Sequence, residues 1–119
     1  MPKVMLLEDD PTMLQLLTTL LKMEGFDVYA PTHWTAEELP SQIQREDPRL
    51  LLMDVRLKQA DGLSLLKIIR HTPGISALKV ILTSGQDIRD QSQSAGADGF
   101  LLKPFMPEEL VHIIRTSIG

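Results

Sequence analysis

The chain has 119 residues, 43% hydrophobic and 24% charged, which suits one soluble domain with a sizeable core and is too short for two. A net charge of −4 disfavours direct binding of nucleic acid, and the lack of cysteine excludes disulfides and thiolate metal sites. No apolar run is long enough to span a bilayer, and the opening "MPKVMLLEDD" lacks a secretory signal's apolar region, so no membrane contact and a cytoplasmic location are expected.

The first apolar run, "VMLL" at 4–7, is continuous rather than alternating, as in a strand covered on both faces. A helix follows. Asp10 suits its N-cap, Pro11 its first turn, and Met13, Leu16, Leu17, Leu20 and Leu21 form one apolar stripe before a stop at Gly25. "DVYA" at 27–30 reads as the second strand. Two starts then compete for the second helix. Thr35 and Glu38 make a capping box, but Pro40 would break that helix early, so the alternative is a short helix beginning at Pro40. Trp34, just before, either covers the end of the second strand or marks a contact surface.

"LLLM" at 50–53 is the third strand, and Leu65, Leu66 and Ile69 give the third helix a buried face that ends at "HTPG". "KVILT" at 79–83 is the fourth strand. Residues 87–95 offer only Ile88 and Ala95 as apolar anchors, so a thin, weakly docked fourth helix is expected. "FLL" at 100–102 is the fifth strand, and the last helix starts near Pro107 with Leu110, Ile113, Ile114 and Ile118 inward. His33, His71 and His112 lie among polar or loop residues and are expected at the surface. Strands alternating with helices predict an α/β fold, a doubly wound parallel sheet with helices on both faces, because right-handed crossovers pack each helix back on the sheet.

Ligands of such sheets bind at the carboxyl ends of the strands. The first strand ends in Glu8-Asp9-Asp10, the third in Asp54, the fourth in Thr83-Ser84-Gly85 and the fifth in Lys103-Pro104. Two bare carboxylates about 4 Å apart repel by roughly 4 kcal/mol at an effective dielectric near 20. A hard divalent cation, Mg²⁺ above all, relieves that repulsion with oxygen ligands, and a lysine offsets more of it while suiting a phosphate oxygen. Acids, cation, hydroxyl and ammonium together are equipment for phosphoryl transfer, with Asp54 as nucleophile. Each residue alone has a plainer role: Asp10 as a helix cap, Asp54 or Thr83 as loop residues, Phe100 as core. The order of all four groups along the chain is what carries the reading.

These stretches, "LLEDDPTMLQLL", "LLLMDVRLKQADG", "VILTSG", "AGADGFLLKPF" and "EEL", resemble the receiver domain of two-component response regulators, from Lys3 to the last helix. The resemblance implies a single receiver domain over residues 1–119 with a five-stranded, flavodoxin-like sheet. It implies that Asp54 takes a phosphoryl group from a sensor histidine kinase or a phosphotransfer protein, to control an output domain or partner protein. Glu8 and Asp9 match the family's acidic pair, with Asp10 the competing member, and Arg56 offers its main-chain carbonyl to Mg²⁺. By the same match Thr83 and Lys103 contact the phosphoryl group, Thr83 and Phe100 act as the switch, and Lys103–Pro104 is cis. One departure stands out: Lys58 occupies a position where the family usually has proline.

Two other readings share some of these features. An Asp-nucleophile phosphatase would want a second acid two residues beyond the first, where Arg56 stands, and a nucleophile on the first strand. A receiver-like interaction module that is never phosphorylated would not need the acids, Thr83 and Lys103 that are present.

Overall fold

The computed structural model describes residues 1–119. In chain order the elements are β1 (Lys3–Leu7), α1 (Pro11–Met23), β2 (Asp27–Tyr29), α2 (Leu39–Glu46), β3 (Leu50–Asp54), α3 (Gly62–Arg70), β4 (Lys79–Ser84), α4 (Arg89–Ser94), β5 (Gly99–Leu102) and α5 (Pro107–Ile118). All strand pairs are parallel, in the order β2-β1-β3-β4-β5. The winding reverses between β1 and β3, which opens a crevice at their carboxyl ends.

The continuous apolar runs are explained by burial on both faces. Met5, Leu7, Leu51, Met53, Val80 and Leu82 pack against Leu39 and Ile43 of α2 and Leu65, Leu66 and Ile69 of α3. The alternate residues Val4, Leu6, Leu50, Leu52, Ile81 and Leu101 pack against Leu17 and Leu21 of α1 and Leu110 and Ile114 of α5. Each fully buried leucine or isoleucine contributes roughly 1.5–3 kcal/mol, so β1, β3 and β4 form a stiff base for whatever sits at their ends.

Asp10 caps α1 as expected, accepting from the N–H groups of Thr12 at 2.9 Å and Met13 at 3.3 Å. Gly25 takes a φ of 94° and the Phe26 N–H reaches back to the Leu21 carbonyl, a left-handed stop. The stripe of α1 is narrower than the sequence suggests. Leu17 and Leu21 are buried, but Leu16 is 61% exposed, because it lies to one side of the face that meets β1.

The second helix takes the later of its two starts, at Leu39, with Pro40 in its first turn. The Thr35 hydroxyl does accept from the Glu38 N–H at 3.1 Å, but that bond closes the preceding turn and does not cap α2. Trp34 is buried in the core under α2 and α3, with Tyr29 packed against the same cluster; it is not a contact surface. Helix α4 is one six-residue stretch without a side-chain cap, held by half-buried Ile88 and Ala95. His33, His71 and His112 are exposed.

Candidate functional site

The register of the sheet builds the site. Leu7 lies opposite Met53, Met53 opposite Leu82, and Asp54 opposite Thr83. Glu8, one residue past Leu7, is therefore next in the row that Asp54 and Thr83 share. Lys103 follows β5, where its N–H bonds the Ser84 carbonyl at 2.7 Å, and the Lys103–Pro104 peptide is cis. The Lys103 ammonium lies 2.8 Å from Asp54 Oδ2 and 3.0 Å from Glu8 Oε1. Elements far apart in sequence thus meet at one charged contact.

These groups are largely withdrawn from solvent, with side chains 6% exposed for Glu8, 12% for Asp54 and 23% for Lys103. Burial on its own lowers the Lys103 pKa. Hydrogen bonds to Asp54 and then Glu8, with the charges of both acids, outweigh that and hold it above the ordinary lysine value.

The three consecutive acids divide their work. Asp10 is exposed and turned to its helix, and its own N–H donates to Glu8 Oε2 at 3.1 Å. The acids that face β3 and its loop are Glu8, on Lys103, and Asp9, whose Oδ2 accepts from the main-chain N–H of Lys58. Asp54 Oδ1 accepts from the Arg56 N–H at 3.1 Å, and the Arg56 carbonyl accepts no hydrogen bond from the main chain. The loop from Val55 to Asp61 closes through an isolated bridge between Arg56 and Asp61 and a 2.7 Å bond from the Gly62 N–H to the Val55 carbonyl. A Cβ on Gly62 would come 2.8 Å from both the Asp54 carbonyl oxygen and Val55 Cα, so only glycine fits beneath this loop.

Three carboxylates and a main-chain carbonyl against one ammonium leave the crevice net negative, with hard oxygen donors of the kind a divalent cation takes. As they stand the acids form no ready three-carboxylate metal cluster: Lys103 lies between Glu8 and Asp54, and Asp9 accepts from the Lys58 N–H. The donor set fits such a cation in kind and in number.

Thr83 is 3% exposed and beside Asp54. Phe100 is paired with Leu82, one row below and on the opposite face of the sheet from Asp54. Its ring is already buried in the core under α3 and α4, and the Arg89 guanidinium lies 5.5 Å from the ring centroid. An inward turn of Phe100 on activation would therefore have to start from a ring that is already inside.

The hydrogen bonds made by the main-chain N–H groups of Lys58 and Arg56 left no mark in residue type, unlike the Arg56 carbonyl role that the resemblance implied. Gly62 did carry a signal, as the glycine after an acid that closes the loop.

A parallel sheet of this order, with acids, a threonine and a lysine at the carboxyl edge of β1, β3, β4 and β5, defines an α/β domain of the receiver type. A model of the response regulator receiver domain family matches residues 4–115, and the chain belongs to that family, the receiver domains of two-component response regulators. It is 36% identical over 121 residues to a transcriptional regulatory protein, a CpxR homolog, of Haemophilus influenzae, covering 99% of this chain and 51% of that protein. It is 29% identical over 118 residues to the DNA-binding response regulator MtrA of Mycolicibacterium smegmatis, covering 98% of this chain and 50% of that protein. The chain spans about half the length of the curated relatives it matches.

Among solved structures, a CheY-like response regulator receiver domain protein from Methanospirillum hungatei superposes with a TM-score of 0.83 at 28% identity, covering 99% of this chain and 94% of that one. The receiver domain of a sensor histidine kinase from Pseudomonas aeruginosa, which has a magnesium ion coordinated in its active site cleft, gives 0.86 at 26% identity, covering 99% and 98%.

Proposed function

We propose that this domain is a phosphorylation-dependent signalling switch with Asp54 as its phosphoacceptor. The observation that carries the reading is the Lys103 ammonium bridging Asp54 and Glu8 at the carboxyl edge of the sheet. On this reading one Asp54 carboxylate oxygen attacks the phosphorus of a phosphohistidine. The new O–P bond forms as the P–N bond breaks, and the departing imidazole nitrogen keeps the bonding pair and takes a proton. Glu8, Asp9, Asp54 and the Arg56 carbonyl would hold Mg²⁺, which when bound supplies neutralisation of the phosphoryl oxygens.

Lys103, already aimed at Asp54, then pairs with a phosphoryl oxygen, and the neighbouring Thr83 hydroxyl donates to another. No side chain beside Asp54 is an evident base for activating water, which favours a phosphoryl group that persists long enough to signal. The domain would thus promote only its own phosphorylation and dephosphorylation. Acting in the cytoplasm, it would have as partners a sensor histidine kinase or phosphotransfer protein and an output domain or partner protein. Nucleic acid and membrane are not expected to touch this domain itself, given its net charge of −4.

Intact-mass spectrometry after treatment with a small phosphodonor and Mg²⁺ tests this directly. One phosphoryl group should be added to the wild type and none to Asp54→Asn. A wild type that takes up nothing would point to an interaction module, and steady turnover of a phosphate ester would point to a phosphatase.

A further inference from the structure

The loop between β3 and α3 is tied to neighbouring segments at two consecutive residues. The main-chain N–H of Lys58 donates to Asp9 Oδ2, across the gap to the end of β1. The Gln59 side-chain amide donates to the Trp34 carbonyl at 3.4 Å, in the segment after β2. Glu8, Asp9, Trp34 and Gln59 also line one cavity of about 280 Å³. The base of the loop is fixed independently by the Val55–Gly62 bond and the Arg56–Asp61 bridge, so the tie at Lys58 acts on a segment with little freedom of its own.

We propose that Lys58 is a positioning residue for cation binding at the acid cluster, its main-chain N–H orienting the Asp9 carboxylate and so tying the loop's conformation to occupancy of the cluster. The proposal rests on the reading of Glu8, Asp9 and Asp54 as an Mg²⁺ site. A carboxylate oxygen that accepts one N–H still leaves acceptor sites on both oxygens, so the bond orients Asp9 without using it up. Mg²⁺ demands near-ideal octahedral geometry, and a carboxylate whose rotamer is already restricted by a hydrogen bond has less freedom left to lose on binding. Hydrogen-bond partners that orient metal ligands typically cost about 10–100-fold in affinity when lost.

Only a residue other than proline can supply this N–H. The Lys58 ammonium, by contrast, is exposed and of the same sign as the cation, so the side chain and the main chain of one residue act in opposite directions. Two substitutions therefore separate them. Lys58→Pro deletes the N–H, while Lys58→Ala keeps it and removes the charge.

The test is an Mg²⁺ titration of the purified chain, followed by fluorescence of Trp34, its one tryptophan, and by the amide spectrum. Lys58→Pro should bind Mg²⁺ about tenfold more weakly than wild type, and Lys58→Ala as tightly or slightly more tightly. The residue-58 amide resonance should move with Mg²⁺ at the same midpoint as Trp34, and should also move in Asp9→Asn. Equal affinity of Lys58→Pro and wild type overturns the proposal, as does a loss in Lys58→Ala that matches the proline variant. If Lys58→Pro does not fold, the amide decides: a resonance that ignores both Mg²⁺ and Asp9→Asn overturns it. A wild type with no saturable Mg²⁺ response in either readout removes the cation reading itself, and the proposal with it.

Discussion

Arg56 sits two residues past Asp54 with its main-chain N–H committed and its side chain free to act. Its N–H is held by Asp54 Oδ1 at 3.1 Å, which fixes the residue beside the acid, while its side chain is exposed. From there a permanently charged guanidinium is able to lie over the oxygens of a phosphoryl group on Asp54, stabilising it and covering the approach of water. Gly85, two residues past Thr83, is exposed and has no side chain with which to block or assist. Dephosphorylation of the isolated domain in Mg²⁺ should accordingly be about two- to fivefold faster in Arg56→Ala than in wild type, the modest factor expected for an exposed charge. Unchanged or slower loss would mean that the guanidinium is only solvated surface.

At the scale of elements, α4 is a weakly secured helix. It has six residues, no side-chain cap, and a buried serine, Ser92, whose Oγ has no hydrogen-bond partner. A hydroxyl withdrawn from water without a partner is a net cost, and alanine is the better helix former. Ser92→Ala should stabilise the domain by about 1 kcal/mol, seen as a raised urea midpoint with an unchanged slope. A lowered midpoint would show that the hydroxyl has a partner after all. The same helix leans on Phe100 through Arg89, so α4 and the ring are mechanically connected. The expectation that Phe100 turns inward on activation becomes, with the ring already buried, a question of how Phe100 and Arg89 repack together.

For the whole molecule, one ion-pair cluster joins β1, β3 and β5, and its effect on stability follows from Lys103. The folded-state pKa lies above the ordinary lysine value, so the folded chain holds this proton more tightly than the unfolded one. The resulting stabilisation is complete below the unfolded lysine pKa and is lost as pH rises through the folded value. Urea denaturation between about pH 8 and about pH 11 should therefore show a fall in stability beginning near about pH 10.4. Lys103→Met should lack that component, leaving only the fall shared with other alkaline groups. Parallel curves for the two proteins would show that Lys103 contributes no pH-dependent stability.

The sequence alone determined the alternation of strands and helices, because burial on both faces writes itself as unbroken apolar runs, and caps such as Asp10 and stops such as Gly25 are local. It also placed Glu8, Asp54, Thr83 and Lys103 at strand ends, since a strand's end is where its apolar run stops. It misjudged Leu16 and left the start of α2 open, because which side of a helix meets the sheet, and whether a turn before a proline joins the helix after it, depend on packing. Trp34 was ambiguous for the same reason: an aromatic between two elements has no periodicity to declare its side. The tertiary structure supplied the contacts that separate the three consecutive acids, setting Glu8 against Lys103 and Asp9 against the Lys58 N–H, while Asp10 caps its helix as its sequence position implies. It alone brought the Lys58 N–H to Asp9, because main-chain donors are identical in almost every residue and acquire a role only from where the fold puts them.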